Sequence, residues 1–162
     1  MNDAEERGWR IHSAVAGWTS NVDSKANFAL TIESGLIAGV LALTSDHRIF
    51  HDLSGLAAVA FWTGIGVLAV AVLLVAWTVR PRLRSKSLET EAVDNFLYFG
   101  HARFWAVDDL ADGLRNADLV PMLAKQVREM SVIAWNKHKH VQRSITVAGI
   151  GLALEVLAGI LA

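Results

Sequence analysis

Two glutamates lie inside apolar stretches of this sequence, where an ionised side chain is costly. Glu155 is near the middle of the final stretch, ITVAGIGLALEVLAGILA, and Glu33 interrupts an earlier one. A charged side chain at the centre of a bilayer costs at least about 2.5 kcal/mol. Each glutamate is therefore expected either to be neutral and hydrogen-bonded to a neighbouring helix, or to line a pore that several chains form together. Both alternatives stay open from the sequence.

Both apolar stretches carry small residues at helical spacing, on the face of the glutamate in the final stretch and on another face than Glu33 in the earlier one. Gly35 and Gly39 form a GxxxG motif, and the final stretch carries alanines and glycines on the face that includes its glutamate. Apolar surfaces attract each other little in lipid, so close backbone contact and hydrogen bonds must hold helices together, and small residues permit that contact. The candidate pore or helix-packing residues are Glu33, Gly35, Gly39, Gly151, Glu155 and Gly159.

A second group of residues with chemical potential is the segment DNFLYFGHARFW at 94–105. Aromatic faces beside amide and guanidinium groups provide what a nucleobase and a phosphate need, namely stacking, edge hydrogen bonds and charge pairing. An aromatic cluster that packs the segment against other helices explains the same residues, and the residues alone favour this simpler interpretation.

Other reactive chemistry is sparse. His47 and His51 are four residues apart, beside Asp46 and Asp52, and could share a metal only if their loop were helical. Solvated capping is the favoured interpretation of this loop. The chain has no cysteine, phosphate-binding glycine loop or nucleophile elbow. We therefore expect no enzyme activity, no metal and no cofactor.

Three apolar stretches must position these groups, at residues 27–44, 56–79 and 145–162. As helices their 18, 24 and 18 residues would extend roughly 27, 36 and 27 Å, against a hydrocarbon core about 30 Å thick. One such stretch suits a buried helix of a soluble protein, but three in 162 residues do not. The sequence predicts an all-α integral membrane protein with three transmembrane helices.

Basic residues predict the orientation. They cluster just after the second stretch, from Arg80 to Lys86, and just before the third, from Lys137 to Arg143, whereas loop 45–55 carries only Arg48. Short segments rich in lysine and arginine stay cytoplasmic. We expect a multi-pass inner-membrane protein with a cytoplasmic N-terminus, a short outer loop at 45–55, a cytoplasmic insert at 80–144 and an outer C-terminus. The first stretch would serve as an uncleaved targeting signal.

The cytoplasmic parts are predicted to be helical. Apolar residues recur every three or four positions within 1–26, which indicates an amphipathic N-terminal helix that continues into the first span. Within the insert, Val107, Leu110 and Leu114 indicate a short amphipathic helix. No helix breaker follows Met122, and Pro121 falls in a first turn, where proline is tolerated. We therefore expect one long helix that runs from the insert into the last span.

The order of short motifs along the chain resembles the transmembrane effectors of bacterial Pycsar antiphage systems, PycTM. The motifs are VDSKA at 22–26, RPR at 80–82, LYFG at 97–100 and a long helix with Gln126, Ser131 and Lys137 before the final span. The resemblance implies a homo-oligomeric inner-membrane effector. A cyclic pyrimidine mononucleotide, cUMP or cCMP, made by a neighbouring cyclase after phage infection would activate it to impair membrane integrity and kill the cell.

The resemblance implies a nucleotide ligand, and the chemistry of the residues leads us to predict its site on the cytoplasmic insert. The phosphate would be held by a basic group, which is Arg80, Arg82, Arg103 or Lys137. The base would stack on an aromatic ring, which is Tyr98, Phe99 or Trp135. Its edge would form hydrogen bonds with an amide, which is Asn95, Gln126 or Asn136. Asp23 and Lys25 would pair with the insert and hold a closed state. No nucleic acid polymer is expected as a partner. Two alternatives stay open: a small channel or transporter that needs no ligand, and a membrane scaffold for a soluble partner.

Overall fold

The computed structural model describes residues 2–80, 88–93 and 95–162, and these ranges contain helices and turns but no strand. The predicted all-α class is therefore confirmed. The six helices of the described ranges are α1 (Asp3–Ala42), α2 (Gly55–Val79), α3 (Leu88–Ala92), α4 (Phe99–Ala102), α5 (Val107–Asn116) and α6 (Leu119–Leu161).

Local sequence explains where the two longest helices begin. The Asn2 side chain accepts a hydrogen bond from the Glu5 backbone N–H (2.8 Å), and the Glu5 carboxylate accepts one from the Asn2 N–H (3.1 Å). This reciprocal pair satisfies backbone donors that a first helical turn leaves without partners. Asp118 caps α6 by accepting from the Val120 N–H (3.1 Å), and Pro121 follows in the first turn. The predicted continuous helices, one N-terminal and one C-terminal, are confirmed.

The chain divides into two compact units. The first comprises Met1–Ser20 and Pro81–Trp135, and the second comprises Asn21–Arg80 and Asn136–Ala162. In the first unit, Gly8 brings α1 close to α6, since a Cβ at this glycine would lie 3.0 Å from Leu123 Cδ1. Both long helices contribute residues to each unit.

Three helical segments pack in the second unit through a repeat of three and four residues. On α6 the buried positions are alternately three and four apart, which is the spacing that keeps one seam of a helix facing its neighbours. Segments of α1 and α2 show the same spacing. The buried positions of α6 in this unit are Val141, Ser144, Ala148, Gly151, Glu155 and Ala158.

Large apolar side chains cover the outer faces of this unit. More than half of the residue surface is exposed at Leu73 and Trp77 of α2 and at Val156 and Ile160 of α6. The neighbouring residues in the seam are buried. Among the described residues, α2 and α6 are the helices long and apolar enough to cross a membrane. Such surfaces are unfavourable in water but not in hydrocarbon.

The first predicted span, 27–44, is less apolar than the other two. Its residues 27–42 lie in α1, which ends at Ala42 and is not among the helices apolar enough to cross a membrane. Asn27 and Glu33 interrupt its apolar residues and lower its hydropathy. The structure thus supports two of the three predicted spans by length and composition, and the first stays a prediction.

The loop between α1 and α2 is built from turns rather than a helix. His51 lies between two carboxylates, with Nε2 2.9 Å from Asp46 Oδ1 and Nδ1 3.0 Å from Asp52 Oδ2. Hydrogen bonding and charge from Asp52, with a further hydrogen bond from Asp46, raise the pKa of His51 above its usual value. Because this loop is not helical, the arrangement that a metal site at His47 and His51 would require is not formed.

Candidate functional site

A buried polar contact joins the three helical segments of the second unit. The hydroxyl of Ser144 on α6 lies 2.6 Å from Glu33 Oε1 on α1 and 2.9 Å from the carbonyl oxygen of Ala71 on α2. Ser144 is fully buried and Glu33 is only 3% exposed. A hydrogen-bonded carboxyl among three helices is the arrangement expected of a polar contact that fixes helix register in an apolar interior.

The proton count at Ser144 favours a protonated glutamate. A hydroxyl carries one proton and can donate it to one acceptor, yet this hydroxyl is close to both a carbonyl and a carboxyl oxygen. Both contacts are satisfied when Ser144 donates to Ala71 and the carboxylic acid of Glu33 donates to the Ser144 oxygen. A neutral Glu33 also avoids the cost of an ionised group in an apolar surrounding.

Glu155 occupies a second buried position on the same seam of α6. It is 4% exposed, and neither of its carboxyl oxygens has a hydrogen-bond partner among the described residues. Gly64 of α2 makes room for it, because a Cβ at this position would contact the carboxyl group and would lie 2.9 Å from Glu155 Cδ. Gly151, one turn earlier on α6, likewise admits Leu68, whose Cγ would be 2.8 Å from an added Cβ.

The small residues of the two predicted packing motifs have different surroundings. Gly151 admits Leu68, as described above, and a Cβ added at Gly159 would lie at ordinary packing distance, 3.7 Å, from the side chains of Ile49 and Phe50. Gly35 and Gly39 are exposed, and an added Cβ at either would meet nothing within 4 Å among the described residues. The GxxxG face of α1 thus takes no part in packing within the part of the chain that the structure describes. Whether the glutamates or glycines line a multi-chain pore stays a prediction.

An ion pair joins α1 to α6 in the second unit. Lys137 Nζ donates to both carboxylate oxygens of Asp23, at 2.6 and 2.8 Å. The two side chains are 26% and 41% exposed, so solvent screens the pair only in part. Asp23 thus pairs with a lysine of the predicted insert, as expected. The same contact occupies Lys137, which was also a predicted phosphate ligand.

The aromatic segment of the first unit is partly structural. Trp105 Nε1 donates to the Ala92 carbonyl (2.6 Å), and its ring packs edge-on against Phe96, with centroids 5.4 Å apart. Asn95 is buried, and its side chain accepts from the Leu97 N–H (3.0 Å). Asn95 therefore stabilises a turn in this conformation rather than presenting its amide to solvent. The sequence interpretation of this segment as a packing cluster accounts for these three residues.

Other predicted ligand residues of the same segment face solvent. Phe99 is 67% exposed and its ring contacts Tyr98 (centroids 4.6 Å apart), while the Arg103 guanidinium lies 4.5 Å from the Phe104 ring centroid. Trp135, at the end of this unit, is also exposed. These groups offer accessible aromatic faces and a cation.

The remaining predicted ligand residues are distributed over both units. Gln126 is half-buried on α6 in the first unit, whereas Arg80, which lies 5.6 Å from the Trp77 ring centroid, belongs with Lys137 to the second. Arg82 lies outside the described residues. A groove of about 580 Å³ in the first unit contains none of the predicted ligands, and Glu89, Asp109 and Asp112 line it. Its carboxylates make it unsuitable for a phosphate.

Sequence reasoning missed two polar groups. Ser144 falls in the buried repeat of α6, three residues after Val141, and a hydroxyl at such a position is a signal that could have identified it. His101 is buried in the first unit, with Nε2 3.7 Å from Glu91 Oε2, and Lys125 lies 3.9 Å from the same oxygen. No local pattern links these three residues, which come from α3, α4 and α6.

Comparison with known proteins gives one positive result. The family model PycTM, described as the Pycsar effector protein domain, matches residues 7–162. This match confirms the resemblance inferred from the order of motifs. No curated protein and no solved structure matches the chain.

Proposed function

Because the chain belongs to the Pycsar effector family, we propose that a cyclic pyrimidine nucleotide activates it to impair the bacterial inner membrane. The observation that carries the proposal is the family match over residues 7–162. The family makes the chain a membrane effector in antiphage defence. The nucleotide, the oligomeric response and cell death are the steps that we add.

The surface of the second unit supports the membrane placement. Leu73 on α2 and Ile160 on α6 belong to outer faces rich in exposed large apolar side chains. Transfer of each such side chain from water to an apolar surrounding gains roughly 1.5–3 kcal/mol. We propose that α2, the last part of α6 and the stretch at 27–44 cross the bilayer, with both the N-terminus and residues 80–144 in the cytoplasm.

We place nucleotide binding in the first unit. Phe99 and Trp135 present exposed rings for stacking, and Arg103 supplies an exposed cation for the phosphate. Stacking on an aromatic side chain contributes about 1–3 kcal/mol per base. The protein would act as a receptor without chemical conversion of the ligand.

Helix α6 links the proposed nucleotide site to the membrane-crossing segments, because residues 119–135 belong to the first unit and residues 136–161 to the second. A ligand can shift a conformational equilibrium only through different affinities for the two states. We propose that binding favours a state in which Lys137 leaves Asp23 and the exposed Gly35 and Gly39 face of α1 contacts another copy. The oligomer would then open or disrupt the membrane.

Calorimetry with detergent-purified full-length protein tests the first step. We expect heat of binding with cUMP or cCMP and none with cAMP, and recovery of the intact nucleotide afterwards. Phe99→Ala should weaken binding about fivefold or more, because it removes an accessible stacking face. Trp18→Ala, which removes another exposed ring of the first unit, is the matched control. Absence of heat with every cyclic nucleotide would refute ligand activation.

Dye release from liposomes tests the response. Wild-type protein should release dye only when the activating nucleotide is added, and Asp23→Asn should lower the nucleotide concentration required, by up to about fivefold, the value of a partly exposed ion pair. Glu6→Gln, which breaks the exposed Glu6–Arg10 pair of the same helix, should leave it unchanged. Release without nucleotide would instead indicate a ligand-independent channel. Absence of release, with one co-purified stoichiometric partner, would indicate a scaffold.

A further inference from the structure

An apolar groove runs along α1 in the second unit, between this helix and α6. It encloses about 510 Å³, and its walls are almost entirely apolar apart from one end and Glu33. Ser24 and Lys25 form that end. The apolar lining residues on which the argument depends are Phe28, Ile32 and Leu36 of α1 and Ile145 and Ala148 of α6.

The groove has the length of one membrane leaflet. The eleven helical steps from Lys25 to Leu36 correspond to roughly 16 Å along α1, about half of the ~30 Å hydrocarbon core. A partner helix that crosses the membrane would require an apolar seam about twice as long. A single acyl chain requires only one leaflet.

The polar groups of the groove fit a lipid with an anionic headgroup. Lys25 is exposed at the end of the groove and makes no ion pair with the described residues, so its ammonium group is available to a phosphate. Farther along, the buried Glu33 also lines the groove, and its Oε2 has no hydrogen-bond partner among the described residues. A neutral glutamic acid there, as the Ser144 contact favours, is compatible with a neighbouring acyl chain.

We propose that this groove binds one anionic phospholipid, with its phosphate at Lys25 and an acyl chain along Phe28, Ile32 and Leu36. The exposed ring of Phe28, 69% accessible, would be covered by the chain. The proposal rests on the membrane insertion proposed above. The lipid would contact both α1 and α6, and would therefore be sensitive to any change in their packing.

Native mass spectrometry of the full-length protein tests this site. The protein is purified from membranes, equilibrated with micelles that contain equal amounts of phosphatidylglycerol and phosphatidylcholine, and released from detergent in the spectrometer. We expect one retained phosphatidylglycerol per chain. Lys25→Glu should lower the preference for phosphatidylglycerol at least about fivefold, the effect of one basic residue near an anionic surface. Arg143→Glu makes the same charge change at an exposed position outside the groove lining and should preserve the preference.

A second pair of variants tests the acyl site. Ile145→Trp would fill the groove from its exposed rim and should reduce retention of both lipids, whereas Ile150→Trp enlarges an exposed residue of the same helix outside the groove lining. No retained lipid, equal effects of Lys25→Glu and Arg143→Glu, or equal retention by the two tryptophan variants would overturn the proposal.

Alkaline extraction of membranes separates failure of this site from failure of the proposed function. Protein that stays in the membrane pellet but retains no phospholipid contradicts the lipid site alone. Protein that appears in the supernatant contradicts membrane insertion, and with it both proposals.

Discussion

Replacement of Ser144 by alanine is the most direct test of the buried contact. The change removes one oxygen from a fully buried site, so the Glu33 carboxyl loses its hydroxyl partner and the Ala71 carbonyl, which lies inside α2, loses an additional contact. Hydrogen bonds between membrane helices contribute about 0.6 kcal/mol on average and up to about 1.7 kcal/mol. Two lost contacts therefore give an expected destabilisation of about 1–2 kcal/mol, within the range for a buried polar group left unsatisfied.

The matched control is Ser131→Ala. This serine is also on α6, but it is exposed and its hydroxyl donates to the Val127 carbonyl of its own helix (2.8 Å). The same atom is removed without leaving a buried group unpaired, so the expected change is below about 0.5 kcal/mol. Stability is measured as the loss of helical circular dichroism with increasing mole fraction of sodium dodecyl sulfate in mixed micelles.

Double substitution distinguishes an unsatisfied carboxyl from a simple packing defect. If the cost of Ser144→Ala arises from the stranded glutamate, Glu33→Met combined with Ser144→Ala should be more stable than Ser144→Ala alone, because no polar partner is left. Glu33→Gln should be tolerated, since its amide can donate to the Ser144 oxygen as the carboxylic acid would. Equal costs for the two serine variants, or a double variant no more stable than the single one, would refute the interpretation.

Two further predictions concern Gly64 and His51. Gly64→Ala should destabilise the protein by about 1–3 kcal/mol, because its methyl group would meet the carboxyl of Glu155, whereas Gly66→Ala, whose Cβ meets nothing within 4 Å, should be nearly neutral in the same unfolding assay. The raised pKa of His51 means that its ion pairs contribute stability in full below its usual pKa of 6.5, and lose it as the pH rises through the raised value. An NMR titration should show the midpoint falling toward 6.5 in Asp52→Asn, and an unchanged midpoint would contradict the assignment.

The sequence by itself determined the helical class and the family. Apolar runs and the 3.6-residue period report local structure, so the sequence identifies the stretches at 56–79 and 145–162 without information on tertiary contacts. The order of motifs identified the family that the match over residues 7–162 confirms. The stretch at 27–44 shows the limit of this reasoning. Residues 27–42 of this stretch lie in a helix, but Asn27 and Glu33 leave its crossing of the membrane a prediction.

Only the tertiary structure decided which polar groups meet. Glu33 and Ser144 are 111 positions apart in the chain, and Asp23 and Lys137 are 114 apart. Local periodicity gives the face of a residue on its own helix, but the partner depends on the rotation and axial register of a distant helix. The rotation of α1 against its neighbours also explains why Gly35 is exposed, because it points Glu33 inward and this glycine outward on the same helix.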